Sequence, residues 1–425
     1  MANRFYICVG CYFLLLVNFV QPEVTWDESV YVGLGKYLWS GGASGIYEPF
    51  RPILLPIVLG ALWRLGIDPI IAGKLLVALC AALAVVIVYK IGKLYYDELT
   101  AVAAAVVVAV MPVCVVQSVL LYTEVVATLF TLIAVLMFLR LRAASFGLFS
   151  GLAFLTRFPS AVVFFVCAAV ALAFGRVRFM LLATAVFCVV ITPYFVKNLF
   201  FGSGWLDPFI AAMRHQGNTV FSEPWHFYLT QLLWNSPLLL AFPAGALMLV
   251  KRRRGESGVV ALLLASVVPL AYFTLITNKQ PRFMVSFLPF VVLVAAAAVD
   301  LSKTWQKVVV GLGVSLSLVL AVVKARENYY GYIPTDELCA GQIITSVPMY
   351  AAYYDNLFIP AYFDPGDAIE RFQKHEAESC MFIFMDVFPC EQMRVPDCAT
   401  NSAKLRELFE SHPPIVRHRV TIYGR

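Results

Sequence analysis

Charged residues are scarce in this chain of 425 residues. Only 14% are Asp, Glu, Lys or Arg, whereas a soluble globular protein has roughly 25%. Hydrophobic residues make up 61%, which is more apolar surface than a water-soluble fold hides. The composition therefore excludes a soluble globular protein and a disordered chain. The apolar stretches are long enough for membrane helices, so the expected fold class is a polytopic α-helical membrane protein.

Several motifs with a known chemistry are also missing. The sequence has no Walker A motif, no dinucleotide-binding glycine fingerprint and no HExxH motif. It has no internal repeat of the kind that builds transporters from two related halves. The net charge is +6, but the basic residues come in pairs and short clusters between apolar stretches. Nucleic acid is therefore not an expected partner.

About eleven segments are predicted to cross the bilayer, since about 20 apolar residues span its hydrocarbon core. The predicted spans are 5–22, 70–89, 100–117, 121–139, 145–156, 158–174, 179–197, 229–250, 258–276, 283–299 and 306–323. Basic residues concentrate in the short loops that this count places in the cytoplasm. We therefore expect a multi-pass protein of the cell membrane, with a cytoplasmic N-terminus and an extracytoplasmic C-terminal domain.

Two apolar segments need a different interpretation. Residues 52–63 are short and contain Pro56, and counting them as a span would reverse the charge asymmetry of all later loops. An amphipathic helix in the outer interface is predicted there. Residues 1–22 resemble a signal peptide, but they lack a small-x-small cleavage site, so an uncleaved first helix is predicted.

The composition changes after about residue 325, where charges, prolines and short alternating apolar runs appear. The sequence therefore predicts two domains, a transmembrane domain over 1–325 and a small α/β domain over 326–425. The predicted elements of the second domain are strands at 342–347, 380–387 and 415–423 and helices at 366–377 and 401–411.

Four of the ten cysteines lie in this C-terminal segment, at Cys339, Cys380, Cys390 and Cys398. Outside the membrane they favour disulfides, with Cys390–Cys398 as the preferred pair, although sequence alone does not determine the connectivity. Within this segment, no CxxC motif or nearby histidine pair supports a zinc site. The other six cysteines are predicted to pack as small apolar residues within spans.

The first outer loop has two adjacent carboxylates, Asp27 and Glu28, just beyond the first span. One interpretation is a helix N-terminus, where acidic residues are favoured and where Thr25 and Glu28 have the spacing of a capping box. The other interpretation is a carboxylate that faces a substrate cavity. Both can hold, because adjacent helical residues point in different directions.

Charges elsewhere at the predicted outer surface form a second group of candidates. Glu48 and Arg51 are either a solvated pair or parts of a site, since an arginine can bind phosphate through two parallel hydrogen bonds. Lys279 and Arg282 break the inner-positive pattern, which indicates either snorkelling or an anion-binding site. Further candidates for a substrate cavity are Glu28, Tyr31, Glu124 and Arg157.

Four motifs together resemble a known family, the membrane glycosyltransferases of the C-type fold that use polyprenyl-phosphate sugars. They are WDESVY at 26–31, YEPFRPIL at 47–54, GLAFLTR at 151–157, and QPRF at 280–283 with a Leu-Pro pair at 288–289. Protein O-mannosyltransferases and lipid A aminoarabinose transferases are the most similar members. The resemblance covers about residues 5–325 in order and predicted topology.

The resemblance implies that the chain transfers a sugar from a polyprenyl-phosphate donor to an acceptor hydroxyl on the outer face of the membrane. It implies that Asp27 is the catalytic base, that Glu48 helps to place the substrate, and that Arg51, Lys279 and Arg282 bind the donor phosphate. No cofactor is implied, and a divalent metal is left open. We expect Asp27, Glu48, Arg51 and Arg282 to surround one pocket.

The motifs depart from those of the family in three places. Pro49-Phe50 separates Glu48 from Arg51, where aminoarabinose transferases have adjacent acidic and basic residues. Arg51-Pro52 stands where mannosyltransferases have HPP, and the Trp-Trp-Asp motif of oligosaccharyltransferases is absent. Three other functions stay open: a transporter or lipid flippase, a non-catalytic relative, and a polymerase or ligase of lipid-linked glycans.

Overall fold

The structure is a computed structural model that describes residues 2–200, 210, 221–327, 333–334, 337–362, 365–384, 397–411 and 415–417. Most of the described residues are helical. The helices are α1 (Ala2–Val17), α2 (Trp26–Trp39), α3 (Leu54–Arg64), α4 (Pro69–Tyr95), α5 (Glu98–Val110), α6 (Pro112–Ser118), α7 (Thr123–Leu139), α8 (Ala143–Thr156), α9 (Ala161–Ala173), α10 (Val177–Phe200), α11 (Phe227–Asn235), α12 (Phe242–Arg252), α13 (Ser257–Leu275), α14 (Leu288–Ala295), α15 (Thr304–Glu327), α16 (Met349–Tyr353), α17 (Pro365–His375) and α18 (Cys398–Glu410).

Short 3₁₀ helices and strands complete the secondary structure. The 3₁₀ helices are Phe158–Ser160, Pro237–Ala241, Pro281–Ser286, Ala296–Ala298 and Glu376–Glu378. The strands are β1 (Gly45–Ile46), β2 (Gln342–Thr345), β3 (Leu357–Pro360), β4 (Ser379–Phe384) and β5 (Ile415–Arg417).

The chain divides into two compact units. The first contains 1–20, 74–205 and 223–329, and the second contains 21–73, 206–222 and 330–425. The strands belong to the second unit, which also contains the apolar helix α3 and the start of α4. The other apolar helices belong to the first unit. The domains predicted from the sequence, 1–325 and 326–425, stay a prediction.

The first unit contains helices that are long and apolar enough to cross a membrane. Among the described residues four pass this test alone, namely Pro69–Tyr95, Val177–Val196, Ser257–Leu275 and Thr304–Ala325. Two bent pairs raise the number to six. All eleven predicted spans contain helix, but several of these helices are shorter than 18 residues, so the count of eleven stays a prediction.

Prolines explain the two bent pairs. Helices α5 and α6 meet at 64° where Pro112 follows the extended residue Met111, and the chain from α11 to α12 bends by 115° at Pro237. A proline lacks the amide hydrogen that would continue a helix, and it forces the preceding residue out of the helical conformation. The predicted spans 145–156 and 158–174 adjoin at Arg157, and the structure has a helix break there, since α8 ends at Thr156 and Arg157 is extended.

Stacked phenylalanines hold three helices of the first unit together. The ring of Phe146 in α8 lies 5.4 Å from that of Phe164 in α9, and Phe164 lies 4.3 Å from Phe187 in α10. Offset stacking at these distances adds to the free energy of burying the rings. These contacts hold α8, which ends at Thr156, just before Arg157.

The second unit contains a parallel sheet with strand order β1-β3-β2-β4-β5. Three of its strands were predicted from the sequence in the C-terminal segment. The four-residue β3 was not predicted, and neither was β1, which comes from the first loop and pairs with β3 through Gly45–Leu357 and Ile46–Phe358. The first loop and the C-terminal segment therefore build one sheet.

Disulfides are present in the C-terminal segment, as predicted. Cys339 is bonded to Cys380 on β4, a pairing that the sequence did not favour. Cys398 is also disulfide-bonded. Its preferred partner, Cys390, lies outside the described residues. The six cysteines of the predicted spans are free, and Cys80, Cys114 and Cys167 are buried among apolar side chains.

Helices α2 and α3 of the second unit pack so closely that only glycine fits at their crossing. A methyl group on Gly60 of α3 would overlap the carbonyl oxygen of Gly35 in α2, and one on Gly35 would lie 2.7 Å from the backbone nitrogen of Gly60. Trp39 of α2 also donates a hydrogen bond from its indole N–H to the carbonyl oxygen of Ile57 in α3, at 2.9 Å. The helix predicted over residues 52–63 is confirmed as α3, at Leu54–Arg64, whereas its place in the outer interface stays a prediction.

We predict that Gly60→Ala lowers the thermal unfolding midpoint of the purified protein, because the added methyl group forces α2 and α3 apart at a cost of about 1–3 kcal/mol. The matched control is Gly311→Ala in α15, where nothing lies within 4 Å of the new methyl group. That control should leave the midpoint unchanged or raise it, because alanine favours a helix. Equal shifts in the two variants would contradict the close packing.

Candidate active site

The first turn of α2 carries Asp27 and Glu28. The backbone N–H of Thr25 donates to Glu28 Oε2 at 2.6 Å, and the Glu28 side chain is fully buried. Thr25 is the N-cap residue, and Glu28 completes the capping box that their spacing predicts, because its carboxylate satisfies an amide hydrogen that has no partner within the helix. The side chain of Asp27 keeps 16% of its surface exposed.

Arg51 holds two carboxylates of the second unit. Its Nη2 lies 2.9 Å from Asp27 Oδ1, and its Nε lies 2.7 Å from Glu48 Oε2. The guanidinium carbon also lies 5.5 Å from the ring centre of Tyr31 and 5.3 Å from that of Phe50. We call Asp27, Glu48 and Arg51 the carboxylate–arginine cluster. It contains two negative charges and one positive charge.

The two carboxylates of this cluster have different surroundings. Glu48 is 2% exposed, and both of its oxygens are bonded, because the hydroxyl of Tyr362 donates to its Oε1 at 2.6 Å. Asp27 is the more exposed of the two. Because a general base must reach the hydroxyl whose proton it removes, Asp27 is better placed than Glu48 to meet a substrate.

Tyr362 was not predicted as a site residue. It is buried, and its ring packs edge-on against that of Trp26 at 5.0 Å. Burial raises the pKa of the Tyr362 hydroxyl well above its ordinary value, and the charge of Glu48 raises it further. The phenol therefore stays protonated and donates to Glu48. No sequence signal indicated Tyr362, because it follows the unpredicted strand β3.

Arg51 likewise keeps its proton and its positive charge. Burial alone lowers the pKa of its guanidinium, but the negative charges of Asp27 and Glu48 outweigh burial and raise this pKa well above its ordinary value. Arg51 was predicted to bind the donor phosphate. The geometry instead gives it two carboxylate partners within the protein.

A second charged cluster lies in the first unit. The carboxylate of Glu124, which is 1% exposed, lies 2.7 Å from Arg157 Nη1 and 3.4 Å from Arg282 Nε, with both distances measured to Oε1. We call Glu124, Arg157 and Arg282 the arginine-pair cluster. Two guanidinium groups share one carboxylate, so its charges leave an excess of one positive charge, opposite to the first cluster.

Aromatic rings flank the arginine-pair cluster. The guanidinium carbon of Arg282 lies 4.8 Å from the ring centre of Tyr122, and that of Arg157 lies 4.7 Å from the ring centre of Phe283. These are cation–π distances. The segment that carries Arg282 is fixed by Tyr228, whose hydroxyl donates to the carbonyl oxygen of Gln280 and accepts from its N–H, both at 3.2 Å.

The predicted site residues therefore fall into two groups. Asp27, Glu48, Arg51 and Tyr31 come together in the second unit, and Glu124, Arg157 and Arg282 come together in the first. Lys279, two residues before the proline that opens the Arg282 segment, is 8% exposed and forms no ion pair with any described residue. The predicted meeting of Arg282 with the carboxylate–arginine cluster stays a prediction.

The part of the chain that the structure describes contains no cluster of metal-binding side chains. No three side chains of His, Cys, Asp or Glu are grouped there so as to hold an ion. The described site consists instead of carboxylates, guanidinium groups and aromatic rings. This set can remove a proton and can bind an anion.

A family comparison gives a match over more than half of the chain. Residues 52–337 match the family described as the Alg9-like mannosyltransferase family. No protein with a curated description matches the sequence.

Solved structures share the fold at low sequence identity. ArnT from Cupriavidus metallidurans in the apo state has a TM-score of 0.65 and 13% identity, with 89% of each chain covered. ArnT bound to undecaprenyl phosphate has a TM-score of 0.60 and 16% identity, over 73% of this chain and 62% of that chain. The Archaeoglobus fulgidus oligosaccharyltransferase tethered with an acceptor peptide has a TM-score of 0.56 and 14% identity, over 84% of this chain and 63% of that chain. This chain thus spans less than two thirds of the last two.

The arginine-pair cluster predicts unequal roles for its two cations in stability. Arg157→Gln should lower the thermal unfolding midpoint more than Arg282→Gln, because Arg157 makes the shorter contact to the buried Glu124. Breaking a buried ion pair typically costs about 3–5 kcal/mol. Unfolding of the two purified variants, measured in parallel in one detergent, checks this order. A larger loss in Arg282→Gln would contradict it.

Proposed function

This chain belongs to the Alg9-like mannosyltransferase family, and on that premise we propose that it transfers a sugar from a polyprenyl-phosphate donor to an acceptor hydroxyl on the outer face of the membrane. Family membership confirms the predicted class, a membrane glycosyltransferase, over a transporter. Its fold is that of ArnT, which has been solved with undecaprenyl phosphate, and this likeness supports a polyprenyl phosphate as the donor carrier. The observation that carries the proposal is the carboxylate–arginine cluster.

Asp27 is the proposed base. The acceptor hydroxyl attacks the anomeric carbon of the sugar, and its proton passes to an Asp27 carboxylate oxygen as the new carbon–oxygen bond forms. The bond between the anomeric carbon and the phosphate oxygen breaks, and the phosphate leaves with the electron pair. Two observations support this role: Asp27 is the more exposed carboxylate of its cluster, and Arg51 holds it in place.

Glu48 and Arg51 are proposed to orient Asp27. Arg51 was predicted to contact the donor phosphate, but two carboxylates already outweigh its single charge. Its planar guanidinium instead fixes the direction of the Asp27 side chain by a hydrogen bond that both charges strengthen. Glu48, with both oxygens bonded, acts through Arg51 rather than on the substrate.

The donor phosphate is proposed to bind Arg282 and Lys279. Arg282 makes the longer of the two contacts to Glu124, and its cluster has an excess of positive charge. A leaving phosphate is an anion, which cations stabilise strongly where water is partly excluded. Arg157 serves mainly to hold Glu124 and the end of α8.

The topology of this proposal follows the distribution of charge. With the eleven predicted spans, the positive-inside rule puts the N-terminus in the cytoplasm. The first loop and the C-terminal segment then lie outside. Helix occurs in each of the eleven predicted segments, which supports this arrangement. The acceptor, whether protein, lipid or glycan, meets the enzyme on that side.

We predict that Asp27→Asn reduces sugar transfer by about 100-fold or more, because general-base catalysis contributes roughly 10²–10⁴. The assay incubates the purified protein with a panel of radiolabelled polyprenyl-phosphate sugars and scores which one is consumed. Asp300→Asn, the same change on an exposed loop, is the control and should keep full activity. Full transfer by Asp27→Asn would remove Asp27 from the mechanism, and a wild-type protein that consumes no donor would indicate a non-catalytic relative.

Arg282→Gln should weaken the binding of radiolabelled undecaprenyl phosphate by about tenfold or more, since a hydrogen bond to a charged group contributes about 1.5–3 kcal/mol. The control is Arg178→Gln, at the exposed start of α10, which should bind as the wild type does. An unchanged dissociation constant in Arg282→Gln would make Arg282 a structural residue.

A further inference from the structure

The C-terminal segment is joined to the first loop within the second unit by backbone pairing. Strand β1 of the first loop runs parallel to β3, and the N–H of Gly45 donates to the carbonyl oxygen of Asn356 at 2.8 Å. This pairing fixes the register between residues that are about 310 positions apart in the sequence. The position of β3 therefore depends on the first loop, and that of the loop depends on β3.

A buried lysine makes a second connection. Lys36, in the last turn of α2, is 2% exposed and donates to Asp355 Oδ1 at 2.9 Å and to the carbonyl oxygen of Tyr354 at 3.0 Å. The indole N–H of Trp63 in α3 donates to the same Asp355 oxygen at 3.0 Å. Helices α2 and α3 thus both hold the turn that precedes β3.

Tyr362 lies two residues beyond the end of β3. The N–H of Ala361 donates to the carbonyl oxygen of Thr345 in β2 at 2.8 Å, so the backbone stays aligned with the sheet up to Tyr362. From there the Tyr362 ring reaches Trp26, and its hydroxyl reaches Glu48. The sheet, rather than a flexible side chain alone, determines where the hydroxyl lies.

We propose that Tyr362 is a positioning residue for sugar transfer. Through Tyr362, the C-terminal sheet helps to place the catalytic base. Its hydroxyl fixes Glu48, Glu48 fixes Arg51, and Arg51 orients Asp27. This inference rests on the proposed function. Both Tyr362 and Asp27 lie outside residues 52–337, the range that matches the family, so the proposed base and this support come from the flanking segments of the chain.

The hydrogen bond from Tyr362 matters because Glu48 has almost no access to water. Without the hydroxyl, Glu48 Oε1 loses its described partner at a site that is 2% exposed, and the carboxylate rotates or shifts to recover one. Arg51 follows, because its Nε is bonded to Glu48. An error of about 1 Å in the position of a reacting group costs roughly 100-fold in rate, so Asp27 becomes less effective although no group on the substrate has changed.

The test is Tyr362→Phe, which removes only the hydroxyl. We expect kcat for sugar transfer to fall about ten- to hundredfold, since a hydrogen bond to a charged group contributes about 1.5–3 kcal/mol. Binding of undecaprenyl phosphate should stay within about twofold of wild type. The matched control is Tyr6→Phe in α1 of the first unit, which removes the same hydroxyl from a tyrosine that is 45% exposed and packs against Phe5 at 5.6 Å. It should leave kcat unchanged.

A double-mutant cycle with Glu48→Gln separates positioning from general destabilisation. If Tyr362 acts through Glu48, adding Tyr362→Phe to Glu48→Gln should change kcat and the unfolding midpoint little further, because coupled residues are not additive. Independent, multiplicative effects on kcat overturn the inference, as does a kcat within twofold of wild type in Tyr362→Phe.

The same four proteins distinguish this failure from a failure of the proposed function. A wild type that transfers no sugar from any donor overturns the proposed function. In that event the shifts of the unfolding midpoint test the contact between Tyr362 and Glu48. A shift in the double variant that is smaller than the sum of the two single shifts supports this contact as the link between the sheet and the first loop. A shift equal to the sum overturns it.

Discussion

The carboxylate–arginine cluster depends on one constraint, the burial of the Arg51 charge. Removing a guanidinium from water costs several kcal/mol unless carboxylates and hydrogen bonds replace the lost hydration. Asp27 and Glu48 supply that replacement from two different segments, the first turn of α2 and the loop before α3. Because Arg51 needs both, the two segments are held in one arrangement, and the direction of the Asp27 carboxylate follows from it.

The buried carboxylates of the described residues follow a common rule. Glu28, Glu48 and Glu124 are each at most 2% exposed, and each has partners suited to its charge: a backbone N–H for Glu28, Arg51 and Tyr362 for Glu48, and two arginines for Glu124. The two clusters differ in the sign of their excess charge. A negative excess suits the removal of a proton, and a positive excess suits the binding of an anion.

Local sequence patterns predicted much of the fold, but they did not predict the strand pairing between distant segments of the chain. A short apolar segment located α3, the gap between two predicted spans located the break at Arg157, and the spacing of Thr25 and Glu28 predicted the capping box, because each of these depends on neighbours within a few residues. The two-residue strand β1 and the four-residue β3 have no such signal, since what makes them strands is a partner about 310 positions away. Tyr362 was missed for this reason, and so was the pairing of Cys339 with Cys380. The meeting of Asp27, Glu48 and Arg51 was predicted, but the pairing of Arg51 with both carboxylates was not, because phosphate and carboxylate attract a guanidinium in the same way.

Helix α2 is held at both ends, and this gives Asp27 two mechanical connections to the C-terminal sheet. At its first turn, Asp27 is bonded to Arg51, which leads through Glu48 to Tyr362. At its last turn, Lys36 is bonded to the turn before β3. Fourteen residues of helix span about 21 Å and resist bending, and the glycine contact with α3 keeps α2 from sliding. A displacement of β3 therefore acts on Asp27 from both ends of α2, whereas loss of either connection alone leaves the other in place. Redundancy of this kind suits a base in the first turn of a helix, because a helix holds a reacting group in place only when the helix itself is fixed by its neighbours.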